Sequence, residues 1–348
     1  MKMTETQNLQ SKFLISRSLF LGAGVSLVLT AGEKDAWIAC ILGFILGSLI
    51  LFIYTKLSNS IEGSIHNYLI KKTPLNLLIR LSLLLFYLAF VFLLFIVFAT
   101  FIYAYYLPFT KAIVSCAPFL FLAIYLGNKG TLAISRVAQI LFWIALVAIS
   151  IKVVAIVPYI KTENFLPIYT ISHSKLFIST MNYAILTTAP YLLMLEDKCS
   201  YKTNLKSYFL TFLVIFIMIF YITGCFGSNL EKTFSYPEFT VLRLINYFNF
   251  IQNIESFLAI NWVFDIFIAL SYASKKIKDI CHYKNNIFTY IILFILLFIV
   301  GNFVISDYKV TVTIFQNFVP ILLIFLITIL SLLGIKKGIK SISTVKYK

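Results

Sequence analysis

Long apolar runs, separated by short stretches that carry most of the charges, dominate the pattern of this chain. A helix needs about 20 mainly apolar residues to cross the hydrocarbon core of a bilayer. Ten such runs can be read, at 13–29, 36–54, 81–107, 112–126, 132–157, 176–195, 208–226, 254–273, 287–305 and 312–333. They predict an all-α transmembrane protein with a single integral membrane domain over residues 1–348, because the short loops leave little length for a soluble domain. Residues 227–253, between spans seven and eight, open on polar residues and Pro237. They then read as a short amphipathic helix through Phe239-Thr240-Val241-Leu242-Arg243-Leu244-Ile245, expected to lie on the outer surface or to cap the bundle. The first run is long enough to span and no A-x-A-like site follows it, so it reads as a span rather than a cleaved leader.

Composition agrees. Hydrophobic residues make up 61% of the chain and charged residues 12%, and the mean hydropathy is +0.95. Soluble domains carry about 25% charged residues. The net charge of +16 would suggest nucleic acid in a soluble protein. In a membrane protein Lys and Arg collect in cytoplasmic loops, and with ten spans 21 of the 29 basic residues fall on the side of the two termini. Both termini are therefore expected in the cytoplasm, with membrane lipid rather than nucleic acid as the surroundings. Arg17 and Lys152, near span ends, read as residues that snorkel to the interface. The tyrosines at 103, 105 and 106 read as an interfacial belt. The five cysteines and three histidines have no metal-ligand spacing, so neither a metal nor a disulfide framework is expected. Without a phosphate-binding loop, a nucleophile triad or HExxH, the chain is not expected to be an enzyme and no cofactor is implied.

Two spans are interrupted. Span one contains Gly22-Ala23-Gly24, and span six contains Thr187-Thr188-Ala189 followed by Pro190. Glycine weakens a helix, and proline cannot donate to the carbonyl four residues back. Backbone freed at membrane depth is tolerated where it is buried in protein or lines a wet cavity. Interruptions at corresponding positions of two halves point to a midplane transporter-type site, where freed amides and helix ends can hold the charged groups of an amino-acid-like solute. Gly and Pro are also ordinary in membrane helices, as Pro118 and Pro320 show, and glycines can simply let helices approach, the reading given to Gly43 and Gly47. Both readings stand on the pattern alone.

Span eight carries Glu255 and Asp265. An acid at the centre of a lone membrane helix costs roughly 2.5–3.5 kcal/mol, so it is expected to face the bundle. On a helical wheel Glu255, Leu258, Trp262 and Asp265 fall within about 80° of one another. The acids read either as a ligand-amine or proton-coupling site or as structural hydrogen-bonding groups, Glu255 also as a charge at a helix N-terminus.

Three stretches carry a family resemblance. Ala31-Gly32-Glu33-Lys34-Asp35-Ala36-Trp37-Ile38 resembles the segment after the first span of endospore germination proteins. Tyr236-Pro237-Glu238-Phe239 with Arg243-Leu244-Ile245 resembles their segment before span eight, and Ile254-Glu255-Ser256-Phe257 with Trp262 resembles their acid-plus-tryptophan pattern. Over nearly its whole length the chain resembles the integral-membrane B subunit of Ger-type nutrient germinant receptors. The resemblance implies the amino acid–polyamine–organocation transporter superfamily and its leucine-transporter-like fold, a ten-helix bundle of two inverted five-helix repeats with discontinuous helices one and six. It implies a small nutrient such as an amino acid bound between spans one and six, with spans three and eight beside it. It also implies an A subunit and a lipoprotein C subunit as partners, in the spore inner membrane. Thr187-Thr188-Ala189 departs from the glycine expected in span six. A proton-coupled amino acid permease, using Asp265 or Glu255, is the rival reading, and a structural scaffold for the other subunits a third.

Overall fold

A computed structural model describes residues 3–61, 65–69, 73–107, 110, 112–230, 236–243, 254–281 and 308–345. The described residues are helical, with no strand among them. In chain order the helices are α1 (Glu5–Arg17), α2 (Val25–Gly32), α3 (Ala36–Ser58), α4 (Ile65–Tyr68), α5 (Pro74–Tyr105), α6 (Ala112–Asn128), α7 (Thr131–Ile156), α8 (His173–Thr188), α9 (Tyr201–Leu230), α10 (Pro237–Leu242), α11 (Ile254–Cys281) and α12 (Tyr308–Val345). Among the described residues six stretches are long and apolar enough to cross a membrane, and Val114–Asn128 is a shorter apolar helix. The predicted ninth span, 287–305, lies outside the described residues, as do 244–253 of the predicted amphipathic helix.

Local chemistry sets the helix ends. Thr4 and Gln7 form a reciprocal capping box at the start of α1, each side chain accepting from the other's backbone N–H at 3.2 Å. Thr73 accepts from the Asn76 N–H ahead of Pro74, which supplies the fixed φ suited to a first helical position. Helix α1 is enclosed by α7, α9 and α11, and α3 packs on α8 and α9. A Cβ on Gly43 would come within 2.5 Å of the Tyr183 ring, and one on Gly47 would overlap the Tyr208 hydroxyl, so both glycines permit close helix approach.

Spans one and six each contain irregular backbone. Between α1 and α2, Leu21 is extended (φ −65°, ψ 144°) and Gly22 has φ 83°. Helix α8 ends at Thr188, and Ala189–Met194 continue as a 3₁₀ helix. The carbonyls of this tighter segment find partners on other spans. Tyr54 donates to Met194 O at 2.9 Å, Ser58 to Leu195 O at 2.8 Å and Tyr87 to Leu192 O at 3.2 Å. Protein hydroxyls thus supply hydrogen bonds that lipid cannot.

Polar clasps close both ends of the bundle. Where α2 turns into α3, the fully buried Asp35 carboxylate accepts from the backbone N–H groups of Tyr169, Thr170 and Ile171 at 2.8, 2.8 and 3.4 Å. Asp35→Ala removes the only acceptor these bonds share and is expected to cost about 3 kcal/mol, read as a lowered thermal unfolding midpoint in detergent that Asp35→Asn partly restores.

At the other end, Glu196 accepts from Lys276 at 2.7 Å and from the Ile65 N–H at 2.9 Å, while Lys12 donates to Asn204 at 2.8 Å. Burial alone would raise the Glu196 carboxyl, but the paired Lys276 ammonium holds it below its ordinary value. Burial pulls the Lys276 ammonium down, and the neighbouring Glu196 and Asp197 carboxylates more than offset this and raise it. The Glu196 contribution is therefore present above the unfolded carboxylate pKa and lost as pH falls through the lower folded one. Lys276→Met should lower stability by about 2–3 kcal/mol, less than for a fully buried pair, and remove this acid-side dependence from the unfolding curve.

Candidate functional site

The chain breaks at Gly22 because an extended Leu21 is followed by a backbone conformation that only glycine adopts freely. The freed Gly22 N–H donates to Glu238 Oε1 at 2.7 Å. Glu238 belongs to α10, whose Pro237, Phe239, Val241 and Leu242 are buried. Helix α10 therefore packs into the bundle as a cap and does not lie on the outer surface. Tyr236 anchors its start, sharing a 2.6 Å hydrogen bond with the Thr100 hydroxyl. At its far end the Arg243 guanidinium lies over the Tyr105 ring at 4.8 Å. Tyr105 also packs 4.4 Å from the Phe239 ring, so it serves the α10 contact rather than a lipid-facing belt.

Next to this junction is a cavity of about 60 Å³. Its polar lining comes from Arg17, Lys152, Glu238, Asn261 and Trp262, and its apolar wall includes Ile149, Val153, Val214, Ile217 and Met218. By the same measure a water needs roughly 10–15 Å³, so the space suits about four waters or one very small solute. Arg17 Nε, Glu238 Oε2, Asn261 Oδ1 and Trp262 Nε1 are buried and have no hydrogen-bond partner among the described residues, and neither does Asp265 Oδ2 behind them. Buried polar atoms are ordinarily satisfied, so such a cluster beside a cavity marks a place built for a polar occupant.

Two charges correct the sequence reading. Arg17 does not snorkel: its side chain is 1% exposed and pairs with Asp265 at 2.7 Å, while its guanidinium lies over the Phe13 ring at 4.1 Å. The reason is the chain break, which ends α1 inside the bundle and leaves Arg17 no route to the membrane interface. Lys152 lines the cavity with it. Asp265 and Trp262 are both buried on α11, as their wheel positions suggest. The Glu255 side chain lies outside the described residues.

The residues of the two interruptions are buried and close together: a Cβ on Gly24 would lie 3.0 Å from Leu186 Cδ1. Ala23 is fully buried. Thr187 donates to Tyr183 O and Thr188 to Ala184 O within α8, so their hydroxyls close the helix end. Ala189 and Pro190 begin the 3₁₀ segment. Thr187, Thr188 and Ala189 do not line the small cavity, which lies among spans one, three, five, seven and eight and α10. A wider cleft of about 750 Å³ opens between α2, α8 and α12, with Thr30, Asn182, Gln316 and Asn317 among its lining residues and Ile185 in its wall.

Interrupted apolar helices around a small, mainly apolar cavity edged by buried polar groups define a multi-pass membrane protein of permease-like build. The Spore_permease family, described as spore germination protein, matches residues 7–309, and the chain belongs to this family of membrane permease-like spore germination proteins. No curated protein matches it.

Proposed function

We propose that this chain is the solute-recognising membrane subunit of a spore nutrient germinant receptor, with a small amino acid as its ligand. The observation that carries this reading is the cavity at the span-one break, edged by Lys152 and by buried donors and acceptors of Arg17, Glu238, Asn261 and Trp262 that have no partner among the described residues. A zwitterion supplies what such a lining lacks: acceptors for Arg17 Nε and Trp262 Nε1, and a donor for Asn261 Oδ1. The reading includes ten spans in two inverted five-helix halves, with the breaks of spans one and six at matching positions. Gly22, Ala23, Gly24, Thr187, Thr188 and Ala189 then form the junction that rearranges on binding, approached through the cleft between α2, α8 and α12. Both termini face the cytoplasm of the spore inner membrane, and an A subunit and a lipoprotein C subunit read the change.

The Arg17–Asp265 pair favours sensing over proton coupling through Asp265, because that one of the two acids such a permease could use is already held by a guanidinium. Deleting the gene should abolish germination to at least one nutrient, and the purified protein should bind that nutrient. Intact responses to every nutrient tested would end the receptor reading. Steep pH-dependent amino acid uptake by the protein alone in liposomes would replace it with the permease.

A further inference from the structure

The group seated on the unwound Gly22 amide is the chain's own carboxylate. A backbone N–H released by a helix break is a natural anion station, and here Arg17, Lys152 and the Trp262 indole stand around the same cavity. Glu238 fills this station from a six-residue helix that crosses nothing and enters through Tyr236 at φ 52°, a conformation unfavourable for a residue with a bulky side chain. Only Oε1 is bonded, and Oε2 is buried without a partner among the described residues. An ordinary structural cap would not leave half of a buried carboxylate unsatisfied.

We propose that Glu238 is a tethered stand-in for the carboxylate of the solute, which displaces it from the Gly22 amide and releases α10. This rests on the solute-binding reading above and adds the step that reports occupancy. One carboxylate replaces another at the same N–H, so the charge of the station is kept. The solute's ammonium meets acceptors that are already waiting, Asn261 Oδ1 and Asp265 Oδ2. The outgoing Glu238 carries with it the Phe239 and Arg243 contacts on Tyr105, so the exchange is converted into movement of the α10 cap. Apparent affinity is lowered in proportion to the time Glu238 occupies the station, and removing the competitor must raise it.

The experiment compares the full-length wild type, Glu238→Ala and Glu238→Gln in equilibrium binding of the common L-amino acids and of L-alaninamide, which lacks the carboxylate. Glu238→Ala is expected to bind the preferred amino acid about tenfold more tightly than wild type, with no gain for L-alaninamide. In the wild type, the same amino acid should speed amide hydrogen exchange across residues 236–243. If the wild type binds but Glu238→Ala gains nothing and exchange over 236–243 is unchanged, Glu238 is a structural cap and the solute-binding reading survives without it. If none of the three proteins binds any amino acid, the solute-binding reading itself falls and this inference with it. Should Glu238→Ala fail to fold, Glu238→Gln, which keeps an acceptor for Gly22, and the exchange measurement on wild type decide the matter.

Discussion

Asp265→Ala is expected to destabilise the protein by about 3–5 kcal/mol, the usual cost of leaving one member of a buried ion pair alone. The side chains of Arg17 and Asp265 are 1% and 0% exposed, so bulk solvent does not take over the role of the missing carboxylate. The loss should appear as a lower unfolding midpoint in detergent. Arg17→Met is expected to act in the same direction by stranding Asp265. The double variant Arg17→Met/Asp265→Leu should regain most of the stability, because replacing a buried pair by apolar groups of similar volume is often neutral or better. If it folds like wild type but no longer binds solute, the pair is kept for recognition rather than for stability. Wild-type stability of Asp265→Ala alone would show that the pair does not close in the membrane-embedded bundle.

The apolar helices among the described residues were legible because hydropathy reports directly on the solvent a helix meets, and the break at Gly22 was legible because glycine is the residue that tolerates such backbone. The polar side chains at the edge of the cavity were far less so. Arg17 sits near a span end, where a long basic residue normally reaches water. Only the placement of α1 against α11 shows that its partner lies 248 residues away in Asp265. Glu238 contacts Gly22 across 216 residues and belongs to no periodic pattern. Tyr54 and Tyr87, whose hydroxyls satisfy the 3₁₀ carbonyls of span six, were indistinguishable in sequence from lipid-facing or core aromatics. Periodicity identifies a face of one helix. The partner on a distant helix follows from packing, which pattern along the chain does not encode.

Gly22→Val is the substitution expected to disturb the site most directly. Gly22 holds φ 83°, a conformation that costs a residue with a side chain about 1–3 kcal/mol. A Cβ there would stand 2.6 Å from Val97 Cγ1 and 3.0 Å from Trp262 Cζ2. Overpacking of this kind typically adds about 1–3 kcal/mol. Two responses are open to the chain. The break can straighten, which withdraws the N–H from Glu238, or Trp262 can swing away, which reshapes the cavity it lines. Either one should weaken amino acid binding at least about tenfold and shift the germination response to higher nutrient concentration. Adding Val97→Ala relieves the closest contact but leaves the φ strain, so it should recover part of the stability and little of the binding. Wild-type affinity in Gly22→Val would place solute recognition away from the span-one break, since backbone and indole cannot both stay where they are once a branched side chain occupies position 22.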